Sequence, residues 1–547
     1  MILFFSILIA FYIAVTLIPV LRRFALKWRM TDLPDERKVH KNPTPRVGGI
    51  GIVTGALIPI LALADYCSES IAFLSGVAVL FIAGVWDDIY GLNYRMKFLG
   101  QILAVAAVMT VGRVFIVNLG FWGGAEVILP VWIALPLTFF FILGITNAIN
   151  LADGLDGLAG GISILIFFSI GLLAFLDNNT FALICCLSIC GALLAFLRYN
   201  TYPASIFMGD TGSQFLGFSA AVLSLYLTQH QSTAIAKTLP IIILGFPILD
   251  TLTVMAERIT QGVPLFKADQ RHFHHRLLKL GFTHKDAVLS IYVMQSLMVF
   301  LSIQLCYHAG LWIIVTYLSL ASIILGFFYV THRTGWHLQH GMGTDLSLDR
   351  LAEKQLDKRL KALSLGTLRI LLPLGLIWFA MTSSLTLQQG HTVIFMMSAL
   401  TLAAFWLYRP AFAILFRLTA YALVLCLLFT SQKAAGFHVP VSPQIVHHLY
   451  WGGLAAFALI FLLVTRFESF EITPFDYLVL LLVISIPFLP VGHVNTLHLG
   501  TVAGGMVVFL WASEILLTHQ KQWRSAFPVS CLAAVVILFI RHMAMGW

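Results

Sequence analysis

Five polar clusters interrupt an otherwise apolar chain: RKVHKNPTPRVGG (37–49), DDIYGLNYRMK (87–97), NAINLADGLDGLAGG (147–161), FMGDTGS (207–213) and ADQRHFHHRLLKLGF (268–282). Asp87 and Asp88 are adjacent, and neighbouring carboxylates repel, so a metal or a basic partner such as Lys97 is expected close by. Asp153 and Asp156, three residues apart, are expected on one face of a helix that begins there. The glycines at 154, 157, 160 and 161 let backbone approach a ligand closely, or serve plain helix packing; both readings stand. In FMGDTGS, Gly209 and Gly212 flank Asp210 in an expected turn, while Thr211 and Ser213 offer hydroxyls and a helix N-cap. Such a turn aims a carboxylate at Mg²⁺ while backbone N–H groups face phosphate. Mg²⁺ asks for hard oxygen ligands and usually takes only one or two from protein, a demand that Asp210 with Asn150 meets.

The last cluster differs in kind. His272, His274 and His275 lie among Arg271, Arg276 and Lys279, with only Asp269 near in sequence. Zinc would call for cysteine or more carboxylate, and the surrounding positive charge opposes a cation. Imidazole beside guanidinium suits pyrophosphate, with a structural histidine cluster as the other reading. One such cluster alone could be a topology anchor at a membrane boundary; five on one side are harder to explain that way.

The elements that must position these groups are membrane helices. Of 547 residues, 59% are hydrophobic and 10% charged. The apolar residues come in blocks of roughly 15 to 22, enough to cross a hydrocarbon core as helix. A soluble core would leave more surface charge, and an outer-membrane barrel would show short alternating segments. The net charge of +9 sits in a few loops and forms no basic domain, so nucleic acid is not an expected partner. The seven cysteines show no CxxC spacing and read as small core residues. The apolar run after Met1 lacks a basic leader region and reads as a retained first helix.

Loop charge sets the topology. Basic residues from Arg22 to Arg46 put the first loop in the cytoplasm, and the connection from Asp65 to Ser70 carries none. Alternation then places all five clusters on the cytoplasmic side of a multi-pass protein, with both termini outside. The fold expected is an all-α polytopic membrane protein, with about 11 transmembrane helices in residues 1–330 and about 7 more in 367–547. Between them, residues 331–366 form a cytoplasmic linker, where leucines at 348, 351, 356, 360 and 363 suggest an amphipathic helix on the membrane surface or a solvated one.

In their order and wording, GxxDD, NxxNxxDGxDG, FMGDTGS and HxHHRLLxxG resemble the polyprenyl-phosphate N-acetylhexosamine-1-phosphate transferases, over roughly residues 1–330. That resemblance implies Asp210 as a Mg²⁺ ligand, with Mn²⁺ as a substitute, and Asn150 as a second ligand. It implies Asp87, Asp88 and Lys97 near a lipid phosphate, Asp153 and Asp156 along a nucleotide site, and Phe207 against uracil. His274 with Arg271 or Arg276 would meet the pyrophosphate or sugar; Lys41, His272 and His275 join the substrate-binding set. Asp87, Asp88, Asp153 and His274 are the catalytic candidates. The implied partners are a UDP-sugar and polyprenyl phosphate in the bacterial inner membrane, with homodimerisation also expected. HxHH followed by RLLKLG is closer to the GlcNAc-transferring branch than to phospho-MurNAc-pentapeptide translocases.

The rival class is a transporter or lipid flippase, which would set its polar residues and broken helices near the bilayer midplane in two corresponding halves. Here the clusters sit at helix ends and no inverted repeat is evident. Residues after Gly366 match nothing in the family pattern and read as a membrane extension or a separate function.

Overall fold

The computed structural model describes residues 2–25, 27–28, 30–32, 43–122, 124–229, 233–264, 271–337 and 350–382, with scattered positions between 450 and 537. The chain forms two compact units, the first running to Gly341 and the second beginning at Met342. The first contains α1 (Ile2–Ala25), α2 (Gly48–Leu63), α3 (Ser68–Tyr90), α4 (Tyr94–Thr110), α5 (Val131–Ala152), α6 (Leu158–Leu176) and α7 (Thr180–Asn200). It continues with α8 (Gly209–Gln229), α9 (Pro240–Ile243), α10 (Gly245–Thr260), α11 (Phe273–Lys279), α12 (His284–Gln304) and α13 (Gly310–Thr334). Two antiparallel pairs accompany them: β1 (Thr31–Asp32) with β2 (Thr44–Pro45), and β3 (Asn118–Trp122) with β4 (Ala125–Ile128).

Among the described residues, six helices are long and apolar enough to cross a membrane: α3, α5, α6, α7, α12 and α13. Local chemistry fixes several of their ends. Asn93 caps α4 by accepting from Met96 N at 3.0 Å, and Asn179 does the same for α7 through Ala182 N. Gly91 ends α3 at φ +70°, a left-handed stop that suits glycine.

Burial separates the centre from the rim. The apolar windows of α6 and α7 are 83% buried and that of α13 only 22%, so α6 and α7 are core helices while α13 leaves most of its surface exposed. α8 sits among α2, α3, α5 and α6. In hydrocarbon no hydrophobic force draws helices together, so close van der Waals approach does. A β-carbon on Gly212 of α8 would lie 2.8 Å from the Cα of Gly49, so α2 and α8 cross nearly backbone to backbone. Trp86, Tyr90 and Tyr94 are exposed at one end of the bundle, and Tyr66, Trp132, Tyr307 and Trp312 at the other, as interfacial aromatic belts are.

The all-α expectation needs one amendment. β3 and β4 make a hairpin between α4 and α5, clamped to the end of α8 by Gln229, whose Oε1 accepts from Val117 N and Asn118 N at 3.2 Å. A strand this short leaves too brief an alternation to stand out in an apolar chain.

In the second unit, α14 (Arg350–Thr382) is one helix of 33 residues, about 50 Å long at 1.5 Å per residue. The leucine-bearing stretch is therefore helical, and it runs on without a break into the apolar residues that follow. Leu348 and most of the expected C-terminal helices lie outside the described residues.

Candidate active site

The site begins at the last turn of α3, where the negative end of the helix dipole makes two carboxylates costly. Each has compensation of its own. Asp87 accepts from Leu92 N through Oδ1 at 2.6 Å, and its Oδ2 lies 2.6 Å from Lys97 Nζ. Asp88 faces the opposite way, into the start of α8, accepting from Asp210 N at 2.9 Å and from both the backbone and the hydroxyl of Thr211. A buried carboxylate from one helix thus caps the N-terminus of another, where exposed N–H groups and positive dipole meet. Gly209 makes this fit: its φ is +73°, and a β-carbon there would lie 2.7 Å from both Asp88 oxygens.

This corrects the expected turn around Asp210. Asp210 to Ser213 form the first turn of α8 itself, and the cap comes from Asp88 rather than from Thr211 or Ser213. A donor from a distant helix replaces a local one, which spacing along the sequence cannot reveal.

Asp210 is the hub. Lys97 Nζ reaches its Oδ2 at 2.7 Å, and Asn150 Nδ2 donates to its Oδ1 at 2.6 Å and to Ser213 Oγ at 2.7 Å. Lys97 therefore bridges Asp87 and Asp210, the basic partner expected from the repulsion of the two α3 carboxylates. Below them, the buried amides of Gln101 and Gln214 and the partly buried amide of Asn147 form a network, with Asn147 donating to Gln101 Oε1 at 2.9 Å.

The expected helix bearing Asp153 and Asp156 is a turn. Asp153 closes α5, and α6 starts only at Leu158, after Gly157 at φ +83°. The turn is tied down by Asn200, whose Oδ1 accepts from Gly157 N, and by Tyr292, whose hydroxyl donates to Gly157 O at 2.6 Å. The two aspartates consequently do different things. Asp156 accepts from Ala204 N at 2.9 Å and secures the segment before FMGDTGS. Burial, then the nearby charges of Asp210, Asp156 and Asp88, raise the carboxyl of Asp153 to about 7.

The histidine loop closes on this turn. A β-carbon at Gly154 would collide with Nε2 of His274, so the imidazole lies directly on the glycine backbone. His274 is buried, its Nε2 has no hydrogen-bond partner, and burial first, with the neighbouring His275 second, lowers its pKa to about 3. It is a neutral imidazole at physiological pH. Arg276 is engaged by Glu257 at 2.7 Å and donates through Nε to Arg271 O.

The loops are thus continuous in space. Phe207 donates from its backbone N to Pro45 O at 2.8 Å and accepts from Gly48 N at 3.0 Å, joining 43–49 to the start of α8. Asp88 joins 87–97 to it, Asn150 joins 147–157 to it, and His274 joins 271–276 to 147–157. Lys41 and Asp269 lie outside the described residues. The loop pattern did not point to Asp250, Asn200, Tyr292, Gln101 or Gln214, and it contained Asn147 without giving it a role. Asp250 did carry a signal, as a carboxylate inside the apolar run PIIILGFPILD.

A charged centre built at one end of a bundle whose outer helices suit a bilayer defines a multi-pass membrane enzyme. Residues 70–228 match glycosyl transferase family 4. A Bacillus subtilis protein named "Probable undecaprenyl-phosphate N-acetylglucosaminyl 1-phosphate transferase" is 39% identical over 277 residues, 50% of this chain and 77% of the relative. The Mycobacterium leprae decaprenyl-phosphate N-acetylglucosaminephosphotransferase is 34% identical, covering 49% of this chain and 74% of its own. The Escherichia coli K12 undecaprenyl-phosphate alpha-N-acetylglucosaminyl 1-phosphate transferase is 28% identical, covering 56% and 85%. The chain belongs to glycosyl transferase family 4, among bacterial multi-pass members.

Proposed function

We propose that this enzyme transfers N-acetylglucosamine-1-phosphate from UDP-GlcNAc to undecaprenyl phosphate, releasing UMP, as a first membrane step toward a cell-surface polysaccharide of O-antigen, common-antigen or teichoic-acid type. The names of the three relatives support the transfer and the sugar. The observation that carries the reading is the meeting of Asp87, Lys97, Asn150 and Asp210 at the start of α8, because joining two phosphates demands positioned positive charge. The site would face the cytoplasm from the inner membrane, in keeping with the basic loops 22–46 and 258–285.

The residues present fit a divalent ion. Asp87 Oδ2 is buried and accepts no directed hydrogen bond although Lys97 is near, and it shares that cation with Asp210, so two hard oxygens face one position. Mg²⁺, or Mn²⁺ in its place, takes few protein ligands, here Asp210 with Asp87 or Asn150. Asn150 presents its nitrogen to Asp210, so ligation through its oxygen requires the amide to turn over. When bound, the ion supplies charge neutralisation for the phosphates.

The chain's own groups do the rest. Lys97 leaves the space between the two aspartates and pairs with a phosphate oxygen. Asp88 keeps the N-terminus of α8 fixed, and with it the direction of Asp210. The lipid phosphate, with a second pKa near 6 and so largely dianionic at neutral pH, attacks the sugar-proximal phosphorus and displaces UMP. The fraction still protonated gives its proton to Asp153, whose affinity for it is comparable. His274, neutral, offers Nε2 to the pyrophosphate or sugar. Purified protein with radiolabelled UDP-GlcNAc, undecaprenyl phosphate and Mg²⁺ should yield lipid-linked label and stoichiometric UMP. No turnover with any UDP-N-acetylhexosamine overturns the proposal.

A further inference from the structure

α10 carries two carboxylates, Asp250 and Glu257, seven residues apart and hence on one face two turns from each other. Both grip the histidine loop. Asp250 Oδ2 lies 2.8 Å from His272 Nδ1, and its Oδ1 accepts from Phe273 N at 2.8 Å. Phe273 is the first residue of α11, so its N–H has no partner inside that helix, and an anion there is favoured. Asp250, His272 and His274 are all buried. The rings of His272 and His274 are parallel within 5° at 5.8 Å, and His274 rests on Gly154.

We propose that Asp250 is a positioning residue, holding His272 and the start of α11 so that Nε2 of His274 stands beside the Asp153–Gly154 turn. Accepting from Nδ1–H of His272 also fixes that ring's tautomer and its plane, against which the His274 ring lies. A buried carboxylate is costly unless fully used, and Asp250 commits both oxygens to this one loop. Glu257 secures the far end of α11 through Arg276 at 2.7 Å. The idea rests on the transfer reaction proposed above.

Asp250→Asn keeps the volume but confuses which group donates. It should lower kcat by about 100-fold, the scale of a misplaced catalytic group, while changing KM for undecaprenyl phosphate less than about threefold. Asp250→Glu should recover part of the loss. Asp250→Asn combined with His272→Phe should be no slower than the slower single variant, because both act through one contact. Hydrogen exchange at residues 271–280 should accelerate in Asp250→Asn and nowhere else in the first unit, a readout that needs no turnover. Should Asp250→Asn not accumulate, His272→Phe carries the same tests of kcat and exchange. Unchanged kcat, multiplicative losses in the double variant, or unaltered exchange overturns the positioning role. A wild-type enzyme inactive in transfer but losing protection in Asp250→Asn would defeat the functional reading and keep the anchoring.

Discussion

At the junction of α3 and α8 two carboxylates flank one lysine while a third caps α8, whereas at the junction of α10 and α11 two carboxylates restrain a cluster of histidines and arginines. The first region pairs its carboxylates with a cation and with helix-end N–H groups. In the second, His274 gives up its charge, because burial and the neighbouring His275 outweigh the attraction of Asp250. On the function proposed above, one region would exchange Lys97 for a metal ion, while the other presents an uncharged polar atom in a fixed place. Two substrates that both bring negative charge would need both properties.

The sharpest way to break this contrast is at the hub. Asp210→Asn removes the carboxylate shared by Lys97 and Asn150 and should reduce turnover by about 1,000-fold, while Asp88 still caps α8 and the protein stays folded. Activity near wild type would detach the hub from the chemistry. Lys97→Gln tests the exchange itself. Loss of the ammonium should cut turnover about 100-fold and yet tighten Mn²⁺ binding, measured by paramagnetic resonance without substrates, since the ion no longer competes with a resident cation. Weaker Mn²⁺ binding in that variant would show Lys97 to be no competitor.

In the second region the expected loss is smaller. Gly154→Ala places a methyl group against His274 Nε2 and should lower kcat about 10-fold by displacing the ring, with Lys97-dependent Mn²⁺ binding unchanged. Equal losses of metal binding would mean that the regions are not separable. This residue also shows how far sequence reaches. The glycines of NAINLADGLDGLAGG were legible as sites of close approach, but the partner of Gly154 lies 120 residues away and only the fold supplies it. The loops, their common face and the pairing of Asp87 with a lysine followed from charge repulsion and helix ends, which are local. Asp88 as a cap for α8, the turn at 153–157 and the service of Asp250 to His272 did not, because each depends on a donor or acceptor brought from another helix. The hairpin at 118–128 was hidden for a different reason, being too short to imprint a period on an apolar chain.

The finest test concerns Asp153, which belongs to neither region, feels the charges of Asp210 and Asp88, and precedes the glycine on which His274 rests. Its carboxyl is raised from 3.8 to about 7, so between these pH values the folded protein holds a proton there that the unfolded chain releases. Its contribution to stability is therefore greatest at low pH, declines as pH rises through this window, and is constant above it. Asp153→Asn abolishes that dependence. In metal-free protein, the melting temperature of Asp153→Asn relative to wild type should climb between pH 4 and pH 7 by something on the order of 2 °C, then level off. A difference that stays flat would mean that Asp153 is ionised beside Asp210 and Asp88 throughout. In that case its proton affinity would fall about 100-fold below that of the lipid phosphate, and the acceptor would have to be sought among the carboxylates of α3.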